Sequence, residues 1–242
     1  NDQHFPATPP GPMFAEELPP LDRPDPGEAH VSHNHAVIAS VALSQLGLIT
    51  RSQLRELGVP DSTTSRWVAE GRMTTVDRGV FLMAGAPLTW HVRVLAACRA
   101  RGGIASHLTA AAIHNCPSIP RTRPEVLVPY GAHGRAGRGV HRSRRYAELP
   151  TTTIDRIPVV AAGPLSLQLA GLVPRRLPLD RFDDAVEHLV RSSATDWHDL
   201  ARWVDRGSRS RLAGVGHLRS LVDEYLADDC ESRLERAFRD LL

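Results

Sequence analysis

Apolar and polar positions along the chain change period several times, and those changes divide it. From His35 onward, Ile38, Val41, Ala42 and Leu46 recur at helical spacing until Gly47, which predicts a first helix. "TRSQLRELG" follows, with Thr50 placed to cap, Gln53 three residues on as its capping-box partner, Leu54 and Leu57 pointing inward, and Gly58 closing the turn. After "VP", Asp61 is expected to cap a third helix, "STTSRWVAE", that ends at Gly71. The period then falls to two in "GRMTTVDRGVFLMAG": Val76, Val80 and Leu82 share the inner face of a hairpin, and Gly79 supplies the positive φ of a tight turn. Short capped helices joined by a tight turn and followed by a two-stranded ribbon predict a winged helix-turn-helix over residues 33–85.

Beyond it the pattern mixes. "TWHVRVLAACRARG" and "ASHLTAAAIHNC" read as helices, "EVLVPYG" as a strand, "RGVHRSRRY" as another strand or an edge, and "RIPVV" as a third extended piece. Leu165 to Leu172 resumes a helix before Pro174, so residues 86–178 are expected to form a small mixed α/β domain. Residues 179–242 hold four helical stretches, "LDRFDDAVEHLVRS", "TDWHDLARWVDRG", "GVGHLRSLVDEYL" and "CESRLERAFRDLL", each with an apolar stripe such as Phe182, Val186, Leu189 and Val190. The fold class expected is therefore α+β. Residues 1–32 differ again: eight of the 19 prolines lie there with almost no periodic apolar pattern, which predicts a disordered, acidic, proline-rich tail. The chain begins at Asn1 and its last residues stop inside a helical pattern, so both ends are expected to be cut.

Charge sharpens the picture. The net charge of +2 is divided into −5 over residues 1–32, +10 over 33–145 and −3 over 146–242. A middle segment so basic is an electrostatic footprint for a polyanion, with solvated surface arginine as the competing explanation. All 29 basic residues are arginine, which removes lysine-dependent chemistry from P-loops to Schiff bases. Cys98, Cys116 and Cys230 are odd in number and far apart, so they suggest buried hydrophobes and neither a disulfide framework nor a zinc knuckle. No apolar run reaches the ~18 residues a membrane helix needs and no signal-peptide pattern opens the chain, so no membrane contact and a cytoplasmic location are expected.

A helix-turn-helix lays its second helix in the major groove. On "DSTTSRWVAEG", Thr64 and Val68 lie four apart and are expected to face the core, leaving Ser62, Thr63, Ser65 and Arg66 turned outward near the positive end of the helix. Short donors with one arginine suit base edges and phosphates. Arg51, Arg55, Arg72 and Arg78 would flank them as phosphate contacts, Arg78 from the tip of the wing. Between Arg121 and Arg145 fall seven arginines against one acid, Glu125, around the glycine-rich "GAHGRAGRG". That stretch reads either as a flexible basic loop gripping a nucleic-acid backbone or as a solvated loop, and Arg142, Arg144 and Arg145 join the candidate DNA-binding set from it. For the helices, the competing reading is solvated polar positions on an ordinary three-helix unit.

No catalytic constellation is found, and neither a cofactor nor a metal is expected. H-E-x-x-H, C-x-x-C, G-x-S-x-G and G-x-G-x-x-G are all absent. Ser106 and His107 are adjacent, and neighbours on one helix point in different directions, so a serine–histidine pair is not expected there. His30, His33 and His35 cluster loosely without a fixed fourth ligand. His188 and His198 stand among Asp183, Asp184 and Glu187, which read as a solvated acidic face.

The blocks "GLITRSQLRELGV", "GRMTTVDRGVFLMAGAPLTW", "ASHLTAAAIHNCP", "GVHRSR" and "RIPVV" resemble, in order, those of actinobacterial proteins that join an AbiEi-type antitoxin region to a C-terminal Vsr-like endonuclease domain. The resemblance covers roughly residues 45–242, and the glycine-rich wing block is its most specific part. It implies a winged helix that binds double-stranded promoter DNA to repress its own operon, and a cognate nucleotidyltransferase toxin as a second partner. "ESRLERAFRDLL" is similar to the first helix of the nuclease domain, whose catalytic acidic and histidine residues would lie beyond Leu242, so this chain is not expected to cut DNA. An endonuclease fragment and a toxin-binding scaffold are the alternatives to a DNA-binding regulator. Two departures stand out. Where relatives commonly carry a P-x-R-T-x-x-D-like block after "IPV", this chain has "AAGPLSLQLA", and Trp67 replaces a more usual basic residue on the candidate recognition helix.

Overall fold

Three residues that look like a helix-to-helix linker, Leu48–Thr50, form strand β1, and this strand completes the first sheet. In the computed structural model, which describes residues 26–117, 119–132 and 137–239, with side chains between 35 and 227, helix α1 (Pro26–Ser44) leads into β1. Helices α2 (Arg51–Glu56) and α3 (Asp61–Ala69) follow, then strands β2 (Met73–Asp77) and β3 (Val80–Met83). The sheet order is β1-β3-β2, all antiparallel, the arrangement of a winged helix. Residues 1–25, and with them most of the expected tail, lie outside the described residues. Residues 26–32, assigned above to that tail, open α1 instead, with Pro26 at a first helical position where its missing N–H costs nothing.

Local signals account for the punctuation. Thr50 and Gln53 form a reciprocal capping box, the Gln53 amide donating to Thr50 Oγ1 and the Thr50 amide to Gln53 Oε1. Gly47, Gly58, Gly71 and Gly79 all adopt positive φ, and Gly79 does so at the wing turn, where a two-residue connection leaves no other hand to the backbone. One expectation fails: Asp61 does not cap α3. The N-cap is Pro60, without a side-chain cap bond, and Asp61 is drawn back to the arginines of α2.

Strand β3 is buried on both faces. Phe81 packs with Ile38, Ile49, Leu54, Val59, Trp67 and Met73 in the helix-turn-helix core. Its neighbours Val80 and Leu82, with Val76 at the margin, point the other way into a second and larger core. So the face shared by Val76, Val80 and Leu82 exists, but it looks away from the helix-turn-helix, toward helix α4 (Trp90–Arg101). A strand covered on both sides reads as an unbroken apolar run, as "VFLM" does.

The second sheet is mixed, in the order β6-β5-β4-β8-β7. Its strands are β4 (Ile104–Ala105), β5 (Val126–Pro129), β6 (Val140–Ser143), β7 (Thr151–Ile154) and β8 (Ile157–Val160). Helices α5 (His107–Ile113) and α6 (Ala162–Ala170) pack with it. The stretch "RGVHRSRRY" supplies the edge strand expected of it: β6 runs parallel to β5, with Leu127 opposite His141, while residues 133–136 are outside the described set. Helices α7 (Leu179–Arg191), α8 (Trp197–Arg209) and α9 (Val215–Arg239) complete the order, and α9 is one continuous helix where two were expected. Phe182, Leu189, Leu200, Leu218 and Val222 belong to the same core as Val94, Ile113 and Val159, so the apolar interior is continuous across residue 178. The block "AAGPLSLQLA" is α6, with all but Gln168 of its helical residues buried. Cys98 and Cys116 are buried free thiols, pushed up to about 12 by burial.

Candidate nucleic-acid interface

The candidate surface is built around the start of α3. Thr64 and Trp67, three apart, are buried, and Thr64 Oγ1 donates to the Pro60 carbonyl. Val68 is only half-buried, so the inward stripe runs one residue earlier than the expected Thr64–Val68 pair, and Trp67 is a core residue with no surface to offer a sugar. The opposite stripe stays open: Ser62, Ser65 and Arg66 are exposed and Thr63 is half-buried. Without a side-chain cap, the first amides of α3 face outward at the positive end of its dipole, beside these hydroxyls.

Around that end the arginines divide into groups. Arg51 and Arg55 both reach Asp61, at 3.3 Å and through a two-pronged contact of 3.0 and 2.5 Å respectively. The Arg55 hydrogen bond holds the Asp61 carboxyl below its ordinary range. Two guanidinium groups on one carboxylate leave a net positive charge and fix the turn between α2 and α3. Arg51 also lies over the Phe81 ring at 5.2 Å, and its amide donates to the Gly79 carbonyl at 2.8 Å, which docks the wing turn against the start of α2. Arg78 is exposed on that turn, while Asp77 beside it is tied to Arg101 at 2.6 Å. At the far end of α3, Arg66 and Arg72 approach Glu70 at 3.7 and 3.9 Å, and Arg72 covers Trp67 at 4.8 Å. Such exposed pairs contribute little to stability, so these arginines can exchange partners at small cost.

Arg142, Arg144 and Arg145 belong elsewhere. They line a cleft of about 1040 Å³ between β6, α6 and α8 together with Trp203 and Arg206. Arg145 donates to Ser210 Oγ at 2.7 Å, and Arg144 lies over Tyr130 at 4.6 Å. The structure therefore brings together Arg51, Arg55, Ser62, Ser65 and Arg78 on the winged unit, and sets the β6 arginines in a separate site.

Ser106 and His107 do pair: His107 Nδ1 lies 3.0 Å from Ser106 Oγ, because Ser106 is the extended N-cap of α5 and His107 takes a positive φ of 51°, so the two do not share helical geometry. Ser106 is fully buried, however, and offers no accessible nucleophile. His107 stacks on His141 with centroids 3.7 Å apart, and Glu125, 6% exposed, approaches His141 Nε2 at 3.5 Å. Burial pushes His107 down to about 3, with His141 acting in the same direction. Burial pushes Glu125 up, but His141 and Arg176 beside it outweigh that and hold it at about 2. Of the acidic face expected around His188, the ring nitrogen instead meets the His114 carbonyl at 3.2 Å. Asp183 is raised by burial and then by Glu187 and Glu224, a like-charged face.

Among the described residues no helix is long and apolar enough to cross a membrane. No curated protein matches the chain. Residues 37–84, the span from α1 through the winged sheet, match the family model described as a transcriptional regulator, AbiEi antitoxin.

Proposed function

We propose that the chain is a DNA-binding transcriptional regulator that lays the N-terminal half of α3 in the major groove and its wing turn against the backbone. The observation that carries this reading is the exposure of Ser62, Ser65 and Arg66 on the uncapped end of α3, within a unit of winged-helix topology that matches a regulator family. In this reading Ser62, Thr63, Ser65 and Arg66 meet base edges and nearby phosphates, and Arg51, Arg55, Arg72 and Arg78 meet phosphates. Arg78 has the simplest role, since it sits on the wing turn with its carboxylate neighbour Asp77 already engaged by Arg101. Each phosphate contact releases counterions, so affinity should fall steeply with salt.

Fluorescence anisotropy on duplex DNA tests it. Binding is expected to weaken linearly in log salt, and Arg78→Ala should lower the magnitude of that slope by ~1 while weakening all sequences alike. Arg66→Ala should cost about 1–3 kcal/mol and relax sequence preference. Affinity that is indifferent to salt, or unchanged in both variants, would remove the proposal.

A further inference from the structure

Three side chains from three separate elements meet beside the arginine-lined cleft: His107 at the start of α5 and His141 on β6, which line it, and Glu125 just before β5. One ligand-type atom from each lies within 4.8 Å of the others. Glu125 Oε2 and His141 Nε2 are both buried and face each other at 3.5 Å, and neither has another hydrogen-bond partner. A good hydrogen bond between them would be shorter, ~2.7–3.2 Å. Zinc bonded to N and O ligands at ~2.0–2.2 Å sets neighbouring ligand atoms about 3.3–3.5 Å apart in a tetrahedron; Glu125 Oε2 and His141 Nε2 already stand at that spacing, and His107 lies within 4.8 Å of both and would close in by a side-chain adjustment.

The surroundings favour the same reading. Ser106 Oγ lies 3.0 Å from His107 Nδ1; with Nδ1–H donating to that oxygen, Nε2 carries the lone pair of the neutral ring. Arg176 occupies the other carboxylate oxygen, Glu125 Oε1, and the Glu125 amide donates to Thr109 Oγ1 at 2.8 Å, so the carboxylate is oriented from behind. Such outer partners are what position the ligands of a metal centre.

We propose that His107, Glu125 and His141 bind a divalent transition metal, zinc foremost, with the fourth coordination position open to the cleft. Two imidazoles and one carboxylate are a donor set for zinc-class ions and unlike the all-oxygen cage that magnesium or calcium prefers. Because Arg142, Arg144, Arg145 and Arg206 line the cleft, the open position would receive an anionic group. This site is distinct from the winged surface and does not depend on DNA binding.

The test is calorimetric titration of the EDTA-stripped, full chain with ZnCl2, repeated with MgCl2 and, by visible absorption, with CoCl2. The expected result is one zinc per chain, a ligand-field spectrum of four-coordinate cobalt, and no binding of magnesium at the same concentrations. His141→Ala and Glu125→Gln should each weaken zinc by more than the ~10–100-fold that loss of an outer partner costs. His141 is partly exposed at the edge of the cluster, so its variant carries the test if Glu125→Gln does not fold. A triple variant, His30→Ala with His33→Ala and His35→Ala, should keep the site. No zinc binding by the folded chain, equal binding by His141→Ala, magnesium binding as well as zinc, or loss confined to the triple variant would each overturn the assignment.

Discussion

Trp67→Ala is expected to destabilise the protein by about 3–5 kcal/mol and to lower its melting temperature by roughly 10 °C. Trp67 is 6% exposed and is the largest side chain in the helix-turn-helix core, in a cluster with Ile38, Ile49, Leu54, Val59, Met73 and Phe81. Around it, His35 tilts against the indole at 5.4 Å and the Arg72 guanidinium covers it at 4.8 Å. Removing the indole opens a cavity that no neighbour can fill, because Phe81 and Met73 are held by strand pairing and Leu54 by the capped helix α2. The indole also fixes α3 against the sheet, so DNA affinity should fall with stability although Trp67 touches no DNA in this account. Thermal unfolding followed by circular dichroism measures the first effect; a loss below about 1 kcal/mol would mean that α3 is held by something other than this residue.

Gly163→Ala is expected to cost about 1–3 kcal/mol or more, although alanine is the better helix former. A Cβ there would lie 2.5 Å from Trp203 Cδ1 and 2.6 Å from Asp199 Oδ2, so α6 and α8 would have to separate. Asp199 is not free to yield, since Thr195 and Arg202 both donate to it at 3.0 Å. Gly216→Ala is the control with opposite sign: it lies in α9, a Cβ there meets nothing within 4 Å, and alanine should stabilise by about 0.5–1 kcal/mol. If both substitutions stabilise, the close approach of α6 and α8 is wrong. Trp203 also borders the arginine-lined cleft, so a shift of α8 would reshape it.

These cases show which signals in the chain could be read and which could not. The capping box of Thr50 and Gln53 and the positive-φ glycines are short-range features, and a winged helix was legible from them together with the period-two ribbon. Strands β1 and β4, of three and two residues, are too short for any period to appear; their identity comes from pairing with β3 and with β5 and β8. The side of α3 that Trp67 takes was not decided by its polar, arginine-flanked setting; its three-residue offset from Thr64 places it inside. Asp61 stands where a cap belongs, but Arg55 and Arg51 offer its carboxylate a stronger, charge-assisted partner. In α9 no glycine or proline interrupts "EYLADDCESRL", and that absence already argued for one helix. The His107, Glu125 and His141 cluster had no local signature at all. It exists only because a mixed sheet lays β6 beside β5 and carries the start of α5 across their ends, and topology of that kind is not written in any short stretch.

In the proposed mode of binding, the uncapped end of α3 and the wing turn form the surface that lies on duplex DNA. Amide chemical shifts recorded during titration with a DNA duplex test it most directly. The shifts that move most are expected at residues 61–66 and 77–79 and at Arg51, while the amides of β6 and of the cleft stay in place. Perturbations gathered around Arg142, Arg144 and Arg145 with residues 61–66 unmoved would contradict it.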